Sequence, residues 1–408
     1  MSFLPFLRHN ARWLAGGYLL TLFSSFGQTF FISLSAGGIR ADYDLSHGAF
    51  GSIYMAATLL SAFTLPHLGR IVDYVSVSRV ALLTMPMLAV AAVLMAVSHS
   101  LVLLFLAIYM LRLFGQGMMT HNAMTAMGRW FSAQRGRAVS LTTLGFQSGE
   151  AVLPLIFVSV VAAVGWRETW LMAAGIIAIV GLPAIYALMR VERRPSLADG
   201  PERRTAPRDW LRGEVLRDPV FWMALSGVFA PGFIGTTIYF NQVYLVELRG
   251  WSMEAFAGSF ILSSSATVVC VLVCGHLIDR FSAVRILPYF LLPLAGACFV
   301  LGLVEAQWGI FVFMALLGMS NGFSTTLFGA LWPEIYGMKH LGSIRSIIVA
   351  MLVFATAVGP GLTGVLIDIG VPYPLQIVAM GVYCLFAVFM LTAVRARVTA
   401  RNALAEAS

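Results

Sequence analysis

Charge is scarce in the long apolar runs of this 408-residue chain, so the places where it does occur narrow the chemistry. Arg112, in RLFGQG, and Glu150, in GFQSGEAVLP, each interrupt a run long enough to cross a bilayer. Counted along helices, they lie about 11 and about 12 residues from their helix starts, near mid-depth at 1.5 Å per residue. A lone charge there costs at least about 2.5–3.5 kcal/mol. Two readings follow. The pair is either a permanent lock between two helices or a working site. In the working site the guanidinium attracts an anion, and the carboxyl takes up a proton when its partner is engaged elsewhere. Sequential antiparallel helices pack together, so Arg112 and Glu150 are expected to face each other or share a cavity. Gln147, one turn before Glu150, is placed to hydrogen-bond near the carboxylate. His121 lies nearer the end of its run and reads as structural.

The elements that carry these residues are membrane helices. Hydrophobic residues make up 59% of the chain, charged residues 11%, and the mean hydropathy is +0.87; soluble domains carry about a quarter charged residues. No period-2 alternation appears, which leaves helices to span the bilayer. Twelve spans are predicted, near 13–37, 48–68, 80–97, 101–124, 138–163, 168–189, 220–245, 255–276, 285–304, 308–332, 346–367 and 372–394. The first apolar run is too long for a cleaved signal peptide. With the N-terminus placed in the cytoplasm, 22 of the 26 Lys and Arg fall on that side, three outside (Arg40, Arg167, Arg249) and Arg112 within a span. The expected topology is therefore N-in and C-in. It accounts for the net charge of +8 through topology and anionic lipid, without nucleic acid.

The chain repeats itself. GRIVDYVSVSR (69–79) and GHLIDRFSAVR (275–285) share glycine, aspartate, serine and arginine at an offset of 206 residues, and the same offset pairs Pro154 with Pro360. The reading is an all-α membrane protein of two pseudo-symmetric six-helix bundles, 1–190 and 219–395. They are joined by a polar linker at 191–218 and followed by a tail at 396–408. DWLRGEVLRD, at the end of the linker, is predicted as a short amphipathic helix along the membrane surface. In each repeated string the glycine is expected to end one span and to admit a neighbouring helix. The aspartate would cap a helix or pair with arginine in the turn that follows. PGF (231–233) and GPG (359–361) are expected to kink their helices.

These strings, with RLFGQG (112–117), GRWFSAQRGRAVSL (128–141), GWRETW (165–170) and LWPEIYGMKHLGSIRS (331–346), resemble the major facilitator superfamily of secondary transporters. The last of them resembles the helix 10–11 junction of oxalate/formate antiporters and monocarboxylate porters. The resemblance covers nearly the whole chain and implies alternating access, with a solute site at mid-membrane between two halves. It places polar candidates on the cavity-lining helices: Tyr18 and Gln28 on the first, Tyr239 and Asn241 on the seventh, Asn321 on the tenth. It assigns Gly69, Asp73, Arg79, Gly275, Asp279 and Arg285 to gating loops, with Asp73 facing the region of Arg345 and Asp279 that of Arg135 or Arg137. Two departures stand out. Ser76 and Ser282 replace the family's usual loop glycine, so each turn is made without glycine's freedom at positive φ. Glu150 stands where a helix-5 antiporter motif has proline, which weighs against drug/proton antiport.

No Walker motif, zinc spacing or nucleophile constellation occurs. Neither an enzyme nor an ATP-driven pump is expected, and no cofactor or metal. Cys270, Cys274, Cys298 and Cys384 read as reduced core residues. The expected protein is a monomeric, multi-pass transporter of the bacterial inner membrane. Its partners are a small solute, protons and lipid. A small organic anion moved by symport or exchange comes first, efflux of amphipathic compounds second, and a non-transporting sensor a remote third.

Overall fold

The structure is a computed structural model and describes residues 3–131, 135–191, 193, 209–337 and 340–407. All regular structure among these residues is helical. In a bilayer core no water is present to satisfy peptide groups, and the helix satisfies them within each segment. Eleven helices are long and apolar enough to cross a membrane, and a bent pair, Phe6–Gly27 and Thr29–Tyr43, makes the twelfth span. The others are His47–Leu68, Val77–Val97, Leu101–Trp130, Gly136–Val164, Trp166–Met189, Pro219–Phe240, Met253–Ile278, Ala283–Leu303, Trp308–Tyr336, Ile347–Asp368 and Tyr373–Ala403.

The chain forms two compact units. One holds the first six spans together with Tyr239–Tyr244; the other holds the rest of the second half, up to Ile238 and again from Leu245. Most of the 191–218 segment lies outside the described residues. Of the predicted surface helix only Arg212–Arg217 is helical, its start fixed by Glu214, which accepts from the Leu211 amide at 2.8 Å.

Five spans depart from the uniform helices expected, among them the sixth, with a π-helical stretch at Ile176–Gly181, and the ninth, with a 3₁₀ turn at Leu287–Tyr289. The first bends by 47°. Gln28 there is extended (φ −85°, ψ 153°) between short 3₁₀ and α turns, so the span is neither continuous nor confined to 13–37. The fourth carries a π-helical stretch at Leu111–Met119, around Arg112; such bulges recur at functional sites. The seventh ends at Phe240, and a new helix begins at Gln242. Helical order continues across Pro231 and Pro360, and the seventh span is interrupted at Asn241.

Small residues let the first-unit helices approach closely. A Cβ at Gly115 would lie 2.7 Å from Gly27 Cα, and one at Gly17 would lie 2.7 Å from Thr142 Oγ1. At the helix ends, arginine closes open carbonyls. Arg12 donates to Leu188 O and Ala187 O, both at 2.7 Å, at the end of the sixth span. Arg167 holds Ala96 O and Ser98 O at 2.7 Å and pairs with Asp42 at 3.0 Å.

Candidate functional site

The site is built around the break in the first span. Where Gln28 turns extended, the helix ladder opens and the carbonyl of Gly27 is left for another donor. Arg112 supplies it. Its Nη1 donates to Gly27 O and to Thr29 Oγ1, each at 3.2 Å. Its guanidinium stands 5.5 Å from the centre of the Tyr54 ring, and Tyr54 in turn donates to Thr29 Oγ1 at 2.7 Å. The side chain is 2% exposed, and its Nε has no hydrogen-bond partner. Only glycine permits this approach, because side chains at Gly27 and Gly115 would force the two backbones apart.

Glu150 lies on the fifth span beside the same break. Gly149, its neighbour, packs on Ser25 and Leu22 of the first span. Glu150 is 4% exposed, and its Oε1 accepts from the Tyr239 hydroxyl at 3.1 Å. Phe30 stands edge-on to both Tyr239 and Phe146, closing an aromatic wall beside the carboxylate. Arg112 and Glu150, expected to face each other or share a cavity, take different hydrogen-bond partners. The guanidinium binds neutral acceptors of the first span, and the carboxylate binds Tyr239.

Seven of the eight polar candidates belong to the first unit: Tyr18, Gln28, Arg112, Gln147, Glu150, Tyr239 and Asn241. Gln28 contributes as the hinge of the first span, its backbone carbonyl accepting from Phe31 and Ile32. Asn241 is buried at the break of the seventh span. Gln147 presents a buried Oε1 without a partner. Tyr18 is partly buried on the first span. Asn321 belongs to the second unit, and its carbonyl accepts from Thr325.

Three residues that sequence reading passed over complete the site. Gln242 is fully buried and donates to Phe30 O and Ser33 Oγ, both at 2.9 Å. Ser33 donates to Tyr239 O at 2.6 Å, and these two positions are 206 residues apart, one repeat length. Thr29 joins Arg112 to Tyr54. The available signal was Gln242 itself, an amide in an apolar run next to Asn241.

The two repeated loops differ in ways their shared residues do not reveal. The side chains of Asp73, Asp279 and Arg135 lie outside the described residues. In the first loop Gly69 ends the second span and packs near His121. Arg129 then holds Val72 O at 2.9 Å, and Asn122 holds Val77 O at 3.1 Å. In the second loop the helix runs through Gly275 to Phe281, and the space beside Gly275 is open, so that glycine neither ends its span nor admits a neighbour. Glu334 of the tenth span caps the new turn, accepting from the Ala283 amide at 2.8 Å. Ser76 sits at φ −60° and needs no special backbone freedom. Ser282 adopts φ 79°, ψ 154°, a conformation that favours glycine. Arg79, Arg285 and Arg137 are exposed, and Arg345 donates to Gly329 O at 2.8 Å.

Among the described residues no group of three His, Cys, Asp or Glu is arranged to hold a metal, and the four cysteines are free and buried.

Twelve spans, a broken first helix and buried ionisable groups at its break define a polytopic all-helical membrane protein. The chain belongs to the Major Facilitator Superfamily, whose model matches residues 17–328. It is 26% identical over 225 residues to the MFS transporter asaE of Aspergillus flavus, covering 54% of this chain and 48% of that protein. It is 26% identical over 219 residues to the glycerol-3-phosphate transporter of Bacillus subtilis, covering 49% of each. The matched region thus spans about half the length of these relatives. In fold it is similar to a bacterial homolog of the human lysosomal transporter Spinster. In that protein's inward-facing, unoccupied form the TM-score is 0.67 at 16% identity, covering 97% of this chain and 96% of that one. In its occupied form the TM-score is 0.63 at 16% identity, covering 95% and 96%.

Proposed function

We propose that the protein is a secondary active transporter that moves a small organic anion by alternating access, as a proton symporter or an exchanger. The observation that carries this reading is Arg112. It is a buried cation whose hydrogen bonds go to a carbonyl and a hydroxyl, with Nε still unsatisfied. A positive charge at that depth is costly unless an anion joins it. Its uncompensated state suits a solute that arrives with the missing charge. The Bacillus subtilis relative named for glycerol-3-phosphate handles an anion and lends support.

Glu150 is assigned the proton. Its bond to Tyr239 comes from an uncharged donor, a hydroxyl that loading or release can exchange. The Gly-Asp-Arg loops are assigned to gating, and the fold to two six-span halves with both termini in the cytoplasm of a bacterial inner membrane, working as a monomer in contact with lipid. The resemblance of the tenth-span junction to oxalate/formate and monocarboxylate carriers sets the first solutes to test. The aromatic wall of Phe30, Phe146 and Tyr239 favours a second reading, efflux of amphipathic compounds by proton antiport.

Counterflow in proteoliposomes with labelled carboxylates, beside a drug-susceptibility panel, separates the two readings. Arg112→Leu is expected to lower anion counterflow by at least about tenfold, the loss of one charge-assisted contact. Glu150→Gln is expected to abolish the pH dependence of transport in a folded protein. Unchanged proton coupling in that variant would remove Glu150 from the proposal, and drug resistance without carboxylate counterflow would favour efflux.

A further inference from the structure

The second unit holds a cavity of about 610 Å³ among the seventh, eleventh and twelfth spans. Phe229, Phe233, Leu362, Leu366, Leu375 and Met380 supply most of its apolar wall. The cavity is not sealed. Leu375 is 58% exposed and Leu362 47%, so it opens as a groove on an apolar surface. Its volume lies within the range of about 300–1,000 Å³ typical of small-molecule pockets.

One end of the groove is polar. Gln376, four residues into the last helix, lines it and is 6% exposed. Its Nε2 donates to the Val371 carbonyl at 3.0 Å. A carbonyl can only accept, which fixes the amide's orientation and turns Oε1 away from Val371. That oxygen is buried and has no hydrogen-bond partner. The site therefore offers one orphan acceptor where the span begins. Apolar walls run from there along the eleventh helix from Leu366 to Ala355, about 16 Å at 1.5 Å per residue. That length is close to half of a hydrocarbon core of about 30 Å.

A polar end at the boundary and one leaflet's depth of apolar wall match an amphiphile lying along the bilayer normal. We infer that this groove is a binding site for one membrane phospholipid whose headgroup carries an N–H donor, the donor satisfying Gln376 and an acyl chain filling the wall. The leaflet is the one in which the last span begins, the non-cytoplasmic leaflet in the proposed topology. A lipid without a donor would fill the wall but leave Gln376 unpaired, and burying an unpaired amide oxygen carries a penalty. The lining residues all belong to the second unit and include neither Arg112 nor Glu150, so the inference does not depend on which solute is carried.

The test uses the full-length protein, delipidated in detergent and titrated by native mass spectrometry. The probes are dioleoyl phosphatidylethanolamine and dioleoyl phosphatidylcholine, which share acyl chains and differ in headgroup N–H groups. The wild type is expected to hold one phosphatidylethanolamine about tenfold more tightly than phosphatidylcholine. Gln376→Leu is expected to bring that ratio to about one with phosphatidylcholine binding unchanged. Ala379→Trp, at an exposed lining position, should weaken both lipids by at least about tenfold. It alters no buried polar group, so it tests the groove even if Gln376→Leu fails to fold. Equal affinity of the wild type for the two lipids, a ratio that survives Gln376→Leu, or undiminished binding to Ala379→Trp would each overturn the inference.

Discussion

Ser282 shows how one residue separates two copies of a motif. Both repeats place serine where the resembling family has glycine, and the sequence treats the positions as equivalent. The backbone does not: Ser76 is extended at φ −60°, while Ser282 is held at φ 79°, ψ 154°. A side chain in that region costs of order 1–3 kcal/mol. The capping carboxylate of Glu334 helps to hold it there. Ser282→Gly is therefore expected to stabilise the protein by about 1 kcal/mol. Ser76→Gly should instead cost a few tenths, roughly 0.5 kcal/mol, through added freedom of the unfolded chain. Thermal unfolding of the two variants in one detergent checks the contrast, and similar shifts in both would refute the strain. The same scale explains why Arg112 and Glu150 were legible as candidates but not as partners. Charge inside an apolar run is visible in the sequence, whereas the acceptor each group takes is not.

At the scale of elements, the broken first span organises the site, and glycines decide how closely its neighbours approach. Gly115→Ala would set a methyl 2.7 Å from Gly27 Cα and 2.8 Å from Gly27 N. Overpacking of this kind costs about 1–3 kcal/mol, and here it would also move Arg112 off the Gly27 carbonyl. The variant is expected to lose both stability and anion counterflow. Gly175→Ala, with no atom within 4 Å of the added methyl, is expected to be neutral or slightly stabilising. Melting temperature and counterflow measured together check both variants; equal effects would show that helix propensity, not contact, governs these positions. The loops follow the same logic. A methyl at Gly69 would lie 2.7 Å from Leu65 O and 3.3 Å from His121 Cδ2, whereas one at Gly275 would face open space, so Gly69→Ala should be the more damaging of the two in the same assays. The repeat pattern predicted two equal glycines, because spacing records ancestry and not the neighbours that later packed against each copy.

At the scale of the whole molecule, the gating role proposed for the loops is tested by Asp73→Asn. Accessibility labelling of a cysteine introduced in the proposed cytoplasmic vestibule is expected to rise; labelling equal to the wild type would remove the loop from gating. Much of the architecture was legible beforehand. The all-helical class, twelve spans and the repeat follow from the apolar runs and the 206-residue offset, because lipid leaves the backbone no alternative to internal hydrogen bonds. The breaks at Gln28 and Asn241 and the π-helical stretch at Leu111–Met119 were not legible. Gln28 and Asn241 stand in runs as apolar as any other, and the helix runs on through Pro231, where a kink is expected. The sequence alone determined that this chain crosses a membrane many times, and that two ionisable groups, Arg112 and Glu150, stand within its apolar runs. Hydropathy and charge are properties of each residue in its own run. Only the tertiary structure decided that Arg112 answers the carbonyl of Gly27, 85 residues away, and that Glu150 answers Tyr239, 89 residues away. A hydrogen-bond partner is chosen by which backbones can approach, and that is set by packing between helices far apart in the chain.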